Sequence, residues 1–327
     1  MSMLYPLKFK PILKQTIWGG QKLSGKGANI PSPQETIGES WEISSVQEHI
    51  SVVSEGFLAE NTLEELIEVY MGDLVGDHVY DKFGVEFPLL IKYIDACDNL
   101  SIQVHPDDET AKERHNAYGK TEMWYIVEAE PKAELILSFK KDSNKQEYLA
   151  HLRENTLTDL LNVEKVQKGD CFFIPAGTVH AICKGCFIAE IQQTSDITYR
   201  IYDYDRRDKD GNPRELHTDL ATDVIQFSEP KQHSIHYHTH ENHTEELVDC
   251  EYFTTNFLKF NKEIEKDYVE IDSFVIYMCL DGNFTIVYDI DQFVKVSKGE
   301  TVLVPACFKE IFLIPEKESQ ILEIYIK

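Results

Sequence analysis

The segment Val166-Gln167-Lys168-Gly169-Asp170-Cys171-Phe172-Phe173-Ile174-Pro175-Ala176 returns as Val296-Ser297-Lys298-Gly299-Glu300-Thr301-Val302-Leu303-Val304-Pro305-Ala306, every position 130 residues further on. In both copies a Gly-acid turn precedes a short apolar strand that stops at proline, which has no N–H to continue a ladder. Each copy also follows a region that reads as paired strands, 122–139 for the first and 273–289 for the second. A unit used twice in this way predicts two double-sheet jelly-roll modules, each closed around an interior.

Other short apolar or alternating runs, at 85–95, 100–105, 186–193 and 197–202, are bounded by turn residues and read as strands. Two stretches carry helical spacing instead: Asn61 to Tyr70, with a capping residue and early acids, and 145–161, with Leu149, Leu152, Leu157, Leu160 and Leu161. The expected fold is therefore mainly β, two cupin-type jelly-roll modules with helical insertions in the N-terminal part. The expected division is a catalytic module over 1–230 with helical excursions near 61–72 and 145–161, a His-rich connecting segment over 231–245, and a smaller C-terminal module over 246–327.

The two copies differ in their polar residues. In Ser101-Ile102-Gln103-Val104-His105 the side chains alternate faces, so Ser101, Gln103 and His105 point one way and Ile102 and Val104 the other. Glu122 opens a similarly alternating run, and His180 ends the run that begins at Phe172. Two imidazoles, a carboxylate and an amide oxygen suit a divalent cation. The second copy has Glu310 at the offset of His180 and lacks an upstream Gln-x-His pair or a counterpart of Glu122. The chemistry is thus expected in the first module.

Two further clusters invite a functional reading that their context opposes. His233, His236, His238, His240 and His243 lie between the modules among charged residues, which reads as an exposed connection. Cys183-Lys184-Gly185-Cys186 is a single CxxC whose centre is expected to form a tight hairpin turn. The seven cysteines suggest no disulfide framework and fit a reducing compartment. A net charge of −25 argues against nucleic acid or an anionic membrane as partner, and any phosphate must meet local positive charge. Neither a signal-like start nor an apolar membrane span is visible, so the expected location is the cytoplasm.

Several motifs together resemble the type I mannose-6-phosphate isomerases, in their short bacterial branch: Thr16-Ile17-Trp18-Gly19-Gly20, Gly38-Glu39-Ser40-Trp41-Glu42-Ile43-Ser44, Phe87-Pro88-Leu89-Leu90-Ile91-Lys92, Leu100 to Asp108, Gly119 to Trp124, Ile174 to His180, and Tyr199 to Arg206. The resemblance implies an enzyme with one Zn2+ per chain, held by Gln103, His105, Glu122 and His180. It would interconvert mannose 6-phosphate and fructose 6-phosphate through an enediol whose developing charge a Lewis acid stabilises. Arg200 matches the arginine treated as catalytic in that family. Glu190, Lys120 and metal-bound water each have a case as proton carrier. Ser101 and Arg206 are expected to meet the phosphate, with Arg207 as the other choice for the basic residue. Trp18, Glu39 and Trp41 are expected as pocket walls, and the partner is a small phosphosugar. A sugar-phosphate-binding cupin without catalysis would need no proton-transfer groups, and an iron-dependent cupin oxygenase would not need Lys120, Arg200 and Arg206 around one anion.

Overall fold

Each copy of the repeat begins with a glycine at positive φ, Gly169 at 93° and Gly299 at 83°, where a side chain would be strained. The acid that follows closes its own turn: Asp170 Oδ2 accepts from Gln167 N at 2.9 Å and Glu300 Oε2 from Ser297 N at 2.7 Å. Both turns lead into four-residue strands, Cys171–Ile174 and Thr301–Val304, ahead of Pro175 and Pro305. The sequence repeat is thus one piece of local structure built twice. The computed structural model describes residues 4–25, 36–207, 211–227 and 232–327.

The chain forms two compact units, each discontinuous in sequence. One comprises Ile12–Trp41 and Leu89–Ile235. Its seven-stranded sheet runs in the order Ile12–Gly20, Ile37–Ile43, Leu89–Ala96, Cys186–Gln193, Glu122–Ala129, Cys171–Ile174, Ser234–Ile235. Its five-stranded sheet runs Tyr199–Tyr202, Ile102–Val104, His180–Ile182, Glu134–Phe139, Leu161–Lys165. Trp18, Ile94, Trp124, Ile126, Leu135, Leu137, Ile174 and Ile188 form one apolar core. A second core joins Ile102, Val104, Ile136 and Ala181 to Tyr148 of the helix Lys145–Arg153 and Ala221 of the helix Thr218–Val224. Ile102 and Val104 are taken up by this second core, so the intervening Gln103 is turned to the opposite face of the sheet.

The other unit takes the chain up to Pro11, Glu42–Pro88 and His236–Lys327. It holds a five-stranded sheet (Thr244–Asp249, Thr254–Phe260, Ser319–Tyr325, Val275–Asp281, Thr301–Val304) and a four-stranded one (Ile264–Asp267, Glu310–Pro315, Asn283–Asp289, Gln292–Ser297). This division departs from the linear one. The helical excursion near 61–72 groups with the C-terminal strands, because the helical segment after it is tied to them: Ala306 N donates to Leu74 O, Cys307 N to Asp73 O, and the Asp272 carboxylate accepts from Asp77 N and His78 N. Helix Leu63–Tyr70 starts with a full capping box between Thr62 and Glu65.

Two local expectations change. Cys183-Lys184-Gly185 is a corner rather than a hairpin, since His180–Ile182 belongs to the five-stranded sheet and Cys186–Gln193 to the seven-stranded one. His233 is buried, not exposed, and exchanges hydrogen bonds with Phe173, whose N donates to His233 O at 2.9 Å. His236, His238, His240 and His243 are exposed, as expected.

Candidate metal centre and adjoining cavity

Register assembles the centre. Arg200, Gln103 and His180 lie in one cross-strand row of the five-stranded sheet. Across from them, the seven-stranded sheet places Lys92, Glu190 and Trp124 in one row and Gln192 beside Glu122 in the next. Directly paired residues share a face, so period-two alternation delivers both sets to the interior.

His105, Glu122 and His180 are buried, with ligand atoms all within 4.8 Å of one another. His180 Nε2 stands 3.4 Å from Glu122 Oε1, and His105 Nε2 stands 3.6 Å from Glu122 Oε2. Each imidazole is oriented from behind: His105 Nδ1 donates to Ile197 O and His180 Nδ1 to Thr178 O, both at 2.8 Å. That fixes both as neutral rings with the Nε2 lone pair facing inward. Burial first, then the Lys120 charge, holds His105 well below the ordinary histidine range and His180 down at about 3. Burial pushes the Glu122 carboxyl up, against the pull of Lys120, and Glu122 Oε1 has no hydrogen-bond partner. Two neutral nitrogens and an unsatisfied buried oxygen converging on one point fit a divalent cation. The Gln103 amide stands 3.2 Å from His180 Nε2; flipped, it adds a fourth donor, its oxygen. Lys120 Nζ is 2.9 Å from His105 Nε2 and paired with Glu122.

Beside this centre lies a cavity of about 260 Å3, lined by Trp18, Glu39, Trp41, Lys92, Ser101, Gln103, Lys120, Glu190, Arg200 and Arg214 among others. Glu190 accepts from Trp124 Nε1 at 2.8 Å and pairs with Lys92 Nζ at 3.0 Å. Burial pushes the Glu190 carboxyl up, but Lys92 and Lys120 outweigh it and bring it down to about 2. Burial likewise opposes the Lys92 charge, yet Glu190 and Glu39 raise its proton affinity. Glu39 stands 3.6 Å from Lys92 and accepts from Trp41 Nε1 at 2.7 Å, while the Trp41 ring carries Lys14 at 4.2 Å and Lys92 at 5.1 Å. Trp41 and Glu39 thus hold cations rather than merely form a wall.

This chain is similar to known proteins over nearly all its length. Residues 6–144 match the family model described as phosphomannose isomerase type I, catalytic domain. The mannose-6-phosphate isomerase ManA of Bacillus subtilis is 38% identical over 306 residues, covering 92% of this chain and 93% of the relative. The chain belongs to the type I phosphomannose isomerases. A mannose-6-phosphate isomerase of Streptococcus mutans is 35% identical over 94% of both chains. The crystal structure of the Bacillus subtilis mannose 6-phosphate isomerase superposes with a TM-score of 0.87 at 33% identity, over 99% of this chain and 100% of that one.

Within this phosphomannose isomerase, the structure brings together Gln103, His105, Glu122, His180, Lys120, Glu190, Arg200, Ser101, Trp18, Glu39 and Trp41. It does not bring Arg206 to the cavity. Tyr204 (φ 55°) and Asp205 (φ 52°) reverse the chain, and Arg206 turns back to donate to Asn99 O, Asp203 O and Asp203 Oδ1. Arg207 is exposed and donates to Gly211 O. Strand patterning alone does not single out Lys92, although a lysine inside the otherwise apolar run Leu89–Ile94 is itself a signal, nor Arg214 and His217. His217 Nδ1 accepts from Arg200 N at 3.1 Å, His217 N donates to Arg200 O at 2.7 Å, and Glu215 O accepts from Arg200 Nη1 at 2.9 Å.

Proposed function

We propose that this chain interconverts mannose 6-phosphate and fructose 6-phosphate with one Zn2+ bound by His105, Glu122, His180 and Gln103, in the reducing cytoplasm that its free cysteines suit. The observation that carries this reading is the buried His105–Glu122–His180 group, with both Nδ1 atoms tied to carbonyls, beside a cavity that Lys92, Lys120, Arg200 and Arg214 line together with Glu39, Glu190 and Asp196. Zinc, when bound, supplies Lewis acidity toward substrate oxygens that gain charge as a proton leaves carbon.

The remaining chemistry falls to side chains. Arg200 is held from three directions, its Nε donating to Ser101 Oγ at 3.3 Å, so a permanent positive charge is preorganised where an oxyanion develops. Glu190 rests as an ionised partner of Lys92, which opposes its uptake of a proton; it positions Lys92 rather than acting as the base. Lys120, buried among the donor set and lining the cavity, is the proton carrier between C1 and C2 in this reading. Trp41, Trp18 and Trp124 exclude water around these charges.

The test is a coupled assay of fructose 6-phosphate formed from mannose 6-phosphate by purified protein. Turnover should vanish with a chelator and return with zinc, and turnover in deuterium oxide should place deuterium on the product carbon if a carried proton exchanges. Zinc-loaded protein that binds the sugar phosphate without converting it would overturn the enzyme reading.

A further inference from the structure

Three guanidinium groups, Arg200, Arg206 and Arg214, crowd around a single buried carboxylate, Asp203. Asp203 Oδ2 accepts from Arg214 Nε at 2.7 Å, and Asp203 Oδ1 accepts from both Arg214 Nη2 and Arg206 Nη2. Asp98 and Glu215, 60% and 83% exposed, and the exposed Asp196 that shares the cavity with Arg200 and Arg214 are solvated carboxylates and screen little of the excess. In a chain of net charge −25 this is a local surplus of positive charge. It is felt by its members, for burial and then the neighbouring Arg214 charge lower the Arg200 proton affinity. Such a surplus, beside a cavity, calls for an anion.

The three arginines are not equivalent. All three nitrogens of Arg206 donate to Asn99 O and to Asp203, and it does not line the cavity. Arg214 does line it, together with Arg200 and Ser101. Among the described residues, Arg214 commits Nε and Nη2 to Asp203 and Arg200 commits Nε and Nη1 to Ser101 and Glu215, which leaves Arg214 Nη1 and Arg200 Nη2 to donate elsewhere. The backbone explains how Arg214 arrives there. Arg207 and Pro213 form an antiparallel bridge, so the chain doubles back and returns Arg214 to Asp203, 11 positions earlier.

We infer that Arg214, not Arg206, is the substrate-binding arginine that, with Arg200 and Ser101, receives the phosphate dianion, and that Arg206 is a structural clip that holds Asp203 in place. The inference rests on the sugar-phosphate reading above for its substrate but not for its anion. Asp203 is the positioning residue: its carboxylate takes the Nε edge of Arg214 and so orients the remaining donors.

Arg214→Gln and Arg214→Lys, compared with Arg206→Gln, test this through two readouts. Steady-state kinetics should show KM for mannose 6-phosphate rising about 10- to 100-fold in Arg214→Gln, with kcat within a few-fold and a smaller rise in Arg214→Lys. Calorimetric binding of inorganic phosphate to zinc-loaded protein should weaken in parallel. Because Arg214 keeps its own two bonds to Asp203, Arg206→Gln should leave KM and phosphate affinity within about twofold and instead lower the thermal midpoint. Unchanged KM and phosphate binding in both Arg214 variants, or equal losses in Arg206→Gln, would overturn the assignment. Phosphate binding lost with Arg214 in a protein that turns over no mannose 6-phosphate would keep the anion site and refute only the isomerase reading.

Discussion

Replacing Glu190 by glutamine removes one charge from a buried ion pair while keeping its shape. Lys92 and Glu190 have side chains 7% and 4% exposed, 3.0 Å apart, and the variant leaves an ammonium in the interior with Glu39 at 3.6 Å as its remaining carboxylate. Breaking a buried pair from one side costs about 3–5 kcal/mol. The depression of the Glu190 carboxyl by Lys92 and Lys120 has the same sign, since the folded state favours the ionised form. Because Glu39 stays and the amide oxygen still accepts from Trp124, the low end, about 3 kcal/mol, is expected. The sign with pH follows. A carboxyl with a depressed folded value contributes stability that is whole above its unfolded value, about 4.3, and is lost as pH falls through about 2. Urea melts of chelated wild-type and Glu190→Gln protein should therefore differ by about 3 kcal/mol at pH 7, and the gap should close between about pH 4.5 and pH 2. Lys92→Met with Glu190→Gln should recover most of the loss, since no buried charge is then stranded. A gap under about 1 kcal/mol, or no recovery in the double variant, would refute the reasoning.

His217→Ala should lower kcat/KM about tenfold by releasing the Arg200 backbone N–H, and His217→Asn should recover part of it; equal losses would show that the imidazole acts otherwise. Cys183 and Cys186, pushed up to about 11 and about 12 by burial, should stay unlabelled by a disulfide reagent at pH 8 while exposed Cys97 reacts; equal rates would restore a redox reading of the CxxC. Zinc at about a thousandfold excess over its Kd should stabilise the folded protein by about 4 kcal/mol, read as a rise in unfolding midpoint, and His180→Ala should abolish that rise; its persistence would place the metal elsewhere.

What the sequence revealed and what it hid divide along physical lines. Gln103, His105 and Glu122 were legible because strand alternation is local, and polar residues on one face of an alternating run carry their own signal; His180 closes the run from Phe172 in the sequence but in the structure opens a separate strand, His180–Ile182, of the other sheet. Lys92 was harder to see. Every residue of Leu89–Ala96 is buried, so that strand shows no alternation. The helix Asp108–His115 was missed for the opposite reason: it has a capping Asp107 and charges suited to its dipole, but Ala111 is its one buried residue, so it has no apolar stripe. The turn at Tyr204 and Asp205 uses positive φ without glycine, and nothing in the residue types announces that Arg206 points away. Cys183-Lys184-Gly185-Cys186 has the chemistry of a tight turn in either setting. Whether the flanking strands then pair is decided by the rest of the sheet.

The second module shows what separates a site from a core on the same frame. Ile174 pairs with Glu122, and its counterpart Val304 pairs with Val275, so an apolar side chain stands where the carboxylate ligand would be. The row Lys92, Glu190, Trp124 has its match in Asn256, Glu323, Tyr277. A buried carboxylate is therefore present in both modules, and in both it must be paired. In the second, Lys266 stands 2.9 Å from Glu323, Asn256 donates at 2.9 Å, and the hydroxyl of Tyr268 bonds both Glu323 and Tyr277. The Glu323 carboxylate is thus fully engaged by protein groups there. In the first, Glu122 keeps an oxygen without a partner, and Lys92 and Arg200 face a cavity instead of a packed ring. Identical turns and matching rows mean that the frame imposes neither outcome. The first module is made chemically competent by leaving the needs of its buried polar groups incompletely met by the protein, so that a cation and a sugar phosphate are what complete it.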